Sequence, residues 1–205
     1  MTINNFFQDG KKEVFDAAVM TMPVPQILQL PGMDTILESE LKEKLSNVMY
    51  ASRYALGLFY DKPINIPNMN RTEYISGDEI LVYAANDPGR RDELKENTAT
   101  SIVFHASARW SLKFLETPIP EVEKIMVDHY KKRYPDWPEP VSVKCQRWRY
   151  SQVYKPFEGS PKAIILNEYP LIVAGGDAFV EKYASVDDCL TSAIKVSELI
   201  MSKLI

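Results

Sequence analysis

Cysteine and histidine are scarce, two of each in 205 residues. Cys145 and Cys189 are too few and too far apart for a zinc site or a C-x-x-C redox pair. They could bond to each other, but two reduced, buried thiols in a cytosolic protein are the better expectation. His105 and His129 lack the nearby carboxylates and histidines of metal-ligand spacing, so no metal is expected. The eight glycines are Gly10, Gly32, Gly57, Gly77, Gly89, Gly159, Gly175 and Gly176. None forms G-x-G, so the G-x-G-x-x-G turn that cradles a dinucleotide's pyrophosphate is absent from this sequence. No apolar run approaches the length of a membrane span. Met1 to Gly10 has neither the basic start nor the apolar stretch of a secretion signal, so a cytoplasmic location is expected. A net charge of −4, with no basic stripe interleaved with aromatics, gives no reason to expect nucleic acid. There is no Ser-His-Asp order, no Cys-His pair and no pair of carboxylates arranged for acid–base work. Repeats and low-complexity tracts are missing too, and nothing marks a domain boundary.

What is present reads as an ordinary globular chain, 45% hydrophobic and 25% charged, long enough to bury a substantial core. Glu13 to Thr21 reads as a strand stopped by Pro23 and Pro25. Thr35 to Tyr50 reads as one helix with Ile36, Leu37, Leu41, Leu45, Val48 and Met49 inward. Strands are expected over Ser52–Tyr60, Glu79–Ala85, Thr100–His105, Val141–Val153, Ala163–Leu166 and Leu171–Ala174. Loops or turns are expected at Pro63–Pro67, at Asn86–Arg91 and around Pro156–Pro161. Pro120–Tyr134 reads as a helix with Val122, Ile125, Met126 and Tyr130 inward. The clearest element is a helix over Val186–Leu204, opened by a Ser185/Asp188 capping box, with Val186, Cys189, Leu190, Ala193, Ile194, Leu199 and Ile200 on one broad face. Bundled strands with few helices and no β-α-β alternation argue for an α+β fold, against a doubly wound one.

Several segments stand out in order along the chain: Val14-Phe15-Asp16-Ala17-Ala18-Val19-Met20 leading into Pro23-Val24-Pro25, Ser52-Arg53-Tyr54 running to Tyr60, Lys144-Cys145-Gln146-Arg147-Trp148-Arg149-Tyr150-Ser151, then Leu171 to Phe179 with Gly175-Gly176-Asp177, and Asp188-Cys189-Leu190-Thr191-Ser192-Ala193. In sequence and spacing these closely resemble the renalases, FAD-dependent oxidases of the amine-oxidase type. The resemblance covers nearly the whole chain, except that renalases begin with the Gly-rich dinucleotide turn this sequence lacks. It therefore implies the back part of such a protein, a truncated form, with a mixed, largely antiparallel sheet and flanking helices. It further implies a residual strand and turn of the FAD-binding half over 1–30, a substrate domain over 31–168, and a closing strand and helix of the FAD-binding half over 169–205.

By the same resemblance the cofactor is FAD, and the donor is an isomeric dihydro form of NAD(P)H, oxidised to NAD(P)⁺ with O₂ reduced to H₂O₂. The chain alone is expected to lack FAD and activity, and to self-associate through faces that would pack on the missing half. The other reading is a non-catalytic fragment, an interaction module. Flavin chemistry needs orientation more than acids or nucleophiles from the protein, so no catalytic residue is assigned. On the cofactor side the resemblance gives Asp177 as an acceptor for ribityl hydroxyls, with Gly175 and Gly176 allowing close approach. It gives Asp187, Asp188 and Cys189 as backbone donors at a helix N-terminus. The alternative for Asp177 is a cap on its own turn, and for the other three a plain helix start. On the substrate side stand Trp148 and Arg149, a ring plane and a phosphate-binding fork, with Tyr54 and Tyr60 as walls. Each could instead be a core or surface residue. His105 reads by default as a core histidine. Thr21 to Pro25 would lie near the pyrophosphate or simply form a rigid strand exit.

Overall fold

The computed structural model describes residues 3–6, 11–64, 71–91, 99–181 and 184–204. In chain order the elements are β1 (Ile3–Phe6), β2 (Lys12–Phe15), β3 (Ala17–Met20), α1 (Val24–Leu28), α2 (Met33–Ile36), α3 (Ser39–Ser46), β4 (Met49–Phe59), β5 (Thr72–Tyr74), β6 (Leu81–Asn86), α4 (Asp87–Arg90), β7 (Ser101–Ala106), α5 (Ala108–Lys113), α6 (Ile119–Arg133), β8 (Ser142–Lys155), β9 (Ala163–Asn167), β10 (Leu171–Gly175), a 3₁₀ turn (Asp177–Phe179) and α7 (Val186–Leu204). The fold is α+β. The expected loop at Pro63–Pro67 lies, from residue 65 onward, outside the described residues, as does most of Met1–Gly10.

The chain divides into two compact units, Met1–Tyr50 with Gln152–Ile205, and Ala51–Ser151. These limits fall inside β4 and β8, whereas the sequence resemblance drew them after residues 30 and 168.

In the first unit β10 pairs in parallel with β3 and antiparallel with β9, giving the order β3-β10-β9, while β1 and β2 form a separate hairpin. The expected strand Glu13–Thr21 is thus two strands serving different sheets, broken at Asp16. The expected helix Thr35–Tyr50 is also broken. Leu37 turns extended (φ −80, ψ 128) after α2, α3 ends at Ser46, and Met49 already opens β4. Leu37, Leu45 and Val48 are buried, whereas Met49 is exposed. A core of Val24, Ile27, Leu45, Val153, Phe157 and Phe179 fills this side. On the other side of the sheet Val196, with Leu199 and Ile200, packs on Ala163, Leu171 and Val173. Helix α7 has its expected limits and capping box, and of its expected face Leu199 and Ile200 pack on the sheet while Val186, Leu190, Ala193 and Ile194 do not. The sheet covers only the arc of Ser192, Val196, Leu199 and Ile200, leaving Val186, Leu190 and Ile194 at 86%, 62% and 57% exposure.

The second unit is built on the five-stranded sheet β5-β6-β7-β4-β8. Residues alternate between the two faces of a strand. Tyr54, Leu56 and Leu58 of β4 point to one face with Ile102 and Phe104 of β7, and there Trp110 of α5 and Val122, Met126 and Tyr130 of α6 cover them. A register shift between Leu81 and Tyr83 lets Leu81 and Ala84 of β6 both reach this core. Helix α5 was not legible because six residues show less than two helical turns of periodicity; its start is marked by Ser107, whose Oγ accepts from the Trp110 N–H at 3.2 Å.

Candidate functional site

In the first unit the cofactor-side candidates converge where β10 ends. Strand β10 is apolar on both faces and wholly buried, and the chain leaves it through Gly176, whose φ of +116° only glycine adopts without strain. A side chain there would meet nothing nearer than the Thr21 carbonyl at 3.8 Å, so space lies open beside it. Gly175 has a different role. A Cβ on it would stand 2.5 Å from Val196 Cγ2 and 3.0 Å from Ser192 Oγ. Its bareness admits helix α7, not a ligand. Ser192, fully buried, accepts the Gly176 N–H at 2.8 Å and donates to the Lys162 carbonyl, fastening α7 to the turn that carries Asp177. Burial raises the Asp177 carboxyl above its ordinary value, opposed by the N–H groups of Ala178 and of Asp177 itself.

The N-terminus of α7 comes up to this carboxylate. Burial raises the Cys189 thiol, with Asp177 and then Asp188 adding to the effect, so Asp177 and Cys189 share one neighbourhood. Asp188, however, is committed to the capping box. Its Oδ2 accepts from the Ser185 N–H at 2.8 Å and from the Ser185 hydroxyl at 2.7 Å, and its own N–H donates to Ser185 Oγ at 3.2 Å. The Cys189 N–H donates to the Ser185 carbonyl at 3.2 Å. Of the three expected donors, only Asp187 keeps an N–H that Ser185 does not take, and Val186 joins it.

In the second unit the four substrate-side candidates are split between the two faces of the sheet. Trp148 and Arg149 are neighbours on β8 and so project oppositely. Trp148 is 55% exposed. Arg149 turns to the helical side, where its guanidinium grips both oxygens of Glu116 at 2.7 and 2.9 Å. Tyr54 is fully buried, donates to the Phe114 carbonyl at 2.9 Å and meets Trp110 edge-on. Tyr60 is buried in the same core. Its hydroxyl has no hydrogen-bond partner among the described residues, and burial, then Tyr130 and Glu139, raise its pKa. Neither ring is on the face of Trp148.

That face holds a cavity of about 220 Å³ lined by Arg53, Tyr54, Ala55, His105, Trp148 and Ser151, where Tyr54 can contribute only its backbone side. Arg53 is fixed by a hydrogen bond from Nη1 to the Ala106 carbonyl at 3.2 Å. His105 stands opposite Ala55 in the ladder with its ring 5.2 Å from that of Tyr83. Burial, then the charges of Arg53 and Arg90, push its imidazole below the ordinary value, so it is neutral at pH 7. His105 is therefore a cavity residue, not the core histidine expected by default. Arg53 and Tyr83 were not singled out from the sequence. The signal available for Arg53 was a charged residue between the apolar positions of a strand, which is ordinarily read as a solvated face.

A family model described as flavin containing amine oxidoreductase matches residues 2–201. Renalase of Mus musculus is 31% identical over 192 residues, which is 93% of this chain and 56% of renalase. The chain thus spans little more than half the length of that relative. Among solved structures, a proposed protoporphyrinogen oxidase of Exiguobacterium sp. 255-15 superposes with a TM-score of 0.67 at 14% identity, over 97% of this chain and 44% of that one. An oxidoreductase of Methanosarcina mazei gives a TM-score of 0.57 at 11% identity, over 93% of this chain and 44% of that one. Identities this low bear on the fold alone.

Proposed function

The chain belongs to the flavin-containing amine oxidoreductase family, and on that footing we propose that it supplies the substrate-facing sheet and the ribityl-side turn of an FAD-dependent oxidase of isomeric dihydro-NAD(P)H. The single observation that carries this reading is the cavity where an indole plane, a neutral imidazole and a fixed guanidinium meet on one sheet face.

The residues at the end of β10 suit one end of FAD. A half-buried carboxylate that accepts from two backbone N–H groups among the described residues is an acceptor for polyol hydroxyls, and the open space at Gly176 admits them. The adenine end finds no such match, since no G-x-G stands in the sequence. Asp177, Gly176 and the N–H of Asp187 would therefore hold the ribityl and ring portions, and a dinucleotide-binding half must hold the rest. The chemistry FAD would supply when bound is acceptance of a hydride and return of its two electrons, with protons, to O₂. The chain's own residues orient the donor. Trp148 offers a flat wall to a planar ring, Arg53 a fork for a phosphate, and neutral His105 one donor and one acceptor nitrogen for the ring's polar substituent. The overall change, NAD(P)H + O₂ + H⁺ → NAD(P)⁺ + H₂O₂, asks no nucleophile of the protein.

The test joins the chain to a dinucleotide-binding half carrying G-x-G-x-x-G from mouse renalase. The fusion should be yellow after desalting and release H₂O₂ from isomeric dihydro-NAD, while the 205-residue chain alone should be colourless. Asp177→Ala in the fusion should weaken FAD binding about ten- to hundredfold, the loss of a charged hydrogen bond of roughly 1.5–3 kcal/mol. Trp148→Ala should raise KM and leave flavin content unchanged. A fusion that holds FAD but leaves dihydronicotinamides untouched defeats the reading.

A further inference from the structure

The cavity is one end of a longer feature. The ladder pairs Tyr74 of β5 with Tyr83 of β6 and Tyr83 with His105 of β7, so the three rings form one row leading to β4 and the cavity. Tyr74 and Tyr83 have ring centroids 5.3 Å apart, tilted at 60°, and Tyr83 and His105 are 5.2 Å apart at 41°. Tyr74 is 83% exposed on a three-residue edge strand. Burial gives that ring almost nothing, and edge strands are ordinarily protected with charge or proline instead. Arg53 donates to the carbonyl of Ala106 next to His105, and Arg90 also acts electrostatically on that imidazole, so both cations lie at the His105 end of the row.

We propose that the Tyr74–Tyr83 step is a stacking subsite for the second planar ring of a two-ring, phosphate-linked ligand whose first ring occupies the cavity beside Trp148 and His105. This rests on the cavity reading above and adds to it that the adenine end of the dinucleotide is recognised. Tyr74 lies two strand spacings from His105, about 10 Å, a gap a pyrophosphate with its two riboses can bridge. At the His105 end of that gap Arg53 and Arg90 meet the phosphates with guanidinium forks. A tyrosine face stacks on any base, because every base has a π-face, so the subsite tolerates phosphate decoration of the adenosine. The competing role for the pair is a cross-strand contact that merely supports the sheet edge.

The experiment is an NMR titration of the 205-residue chain with NAD⁺, nicotinamide mononucleotide and ADP. Both nicotinamide ligands should shift the Trp148 indole N–H, whereas only NAD⁺ and ADP should shift the Tyr74 and Tyr83 amides. NAD⁺ should bind about tenfold more tightly than the mononucleotide, the lower part of the range for one stacked base. Tyr74→Ala should erase that advantage without changing mononucleotide affinity, and Tyr74→Phe should keep it. Equal affinities of the two nicotinamide ligands for the unaltered chain overturn the subsite and leave the cavity reading standing. So does a Tyr74→Ala variant that loses both ligands equally, which is the mark of sheet support. Binding of neither ligand at millimolar concentration overturns the cavity reading and the subsite with it.

Discussion

Gly175 and Gly176 adjoin in the sequence and differ in what their missing side chains permit. At Gly176 the requirement is conformational, a positive φ. At Gly175 it is steric, since Val196 is β-branched, stiff and buried and cannot swing aside. Gly175→Ala should therefore destabilise the first unit by about 1–3 kcal/mol, as overpacking does. Adding Val196→Ala, which removes the clashing methyl, should restore part of the loss beyond additivity. Chemical denaturation of the two single variants and the double variant measures this, and strictly additive losses would refute the clash. Resemblance placed both glycines at a ligand because a Gly-Gly pair says only that some backbone comes close. Which neighbour approaches depends on where α7 returns, set by contacts sixteen or more residues away through Ser192. Trp148 and Arg149 carry the same lesson. Their adjacency suggested a shared target, yet strand geometry forbids one, and the sequence did contain that exclusion once β8 was recognised.

At the scale of elements, strands with alternating burial and the amphipathic α6 and α7 were legible because their periods were long enough to read. The breaks were not. Nothing local to Asp16 distinguishes one strand from two that leave for different sheets, and Leu37 turns extended for reasons of packing. The join between α6 and β6 shows how a polar residue sets an element in place. The Asp78 side chain is only 3% exposed. It accepts from the N–H groups of Ile80 and Leu81 at 2.9 Å each, and both oxygens lie 2.9 Å from His129 Nε2, with Arg133 Nη1 at 3.6 Å. Burial pushes this carboxyl up, but the bonds from His129, Leu81 and Ile80 outweigh it and hold the value below the ordinary one. A carboxyl whose folded value is lowered contributes stability that is complete above its unfolded value, about 3.9, and lost as pH falls through the folded one. Acid should therefore loosen the link between β6 and α6 below about pH 4. Asp78→Asn should lower stability at pH 7 by roughly 1.5–3 kcal/mol, the worth of a hydrogen bond to a charged group, and flatten the acid limb. Thermal melts from pH 3 to pH 7 decide it, and a variant with an unchanged acid limb would place the titration elsewhere.

Considered whole, the molecule leaves apolar surface in its first unit that its own sheet does not use. Val186, Leu190, Ile194 and Met201 form an exposed stripe along α7 on a helix whose other side is packed on β9 and β10. Strand β3 stands at the end of its sheet with Val19 at 42% exposure. Scattered apolar residues on a surface are ordinary, but a contiguous stripe at helical spacing marks a contact. The 205-residue chain should accordingly self-associate in the tens of micromolar range, read by light scattering after size exclusion, with affinity set by the stripe and not by net charge. Leu190→Lys with Ile194→Lys places two charges on it and should return the chain to a monomer. Because both side chains are exposed, the melting temperature should hold or rise. A chain that stays monomeric at high concentration, or a double variant that still associates, would show that the stripe is not the contact. In the fusion with a dinucleotide-binding half, the same pair of substitutions should separate two uses of the stripe. If that half covers it, the lysines cost flavin retention as well as association, and if it does not, association alone is lost.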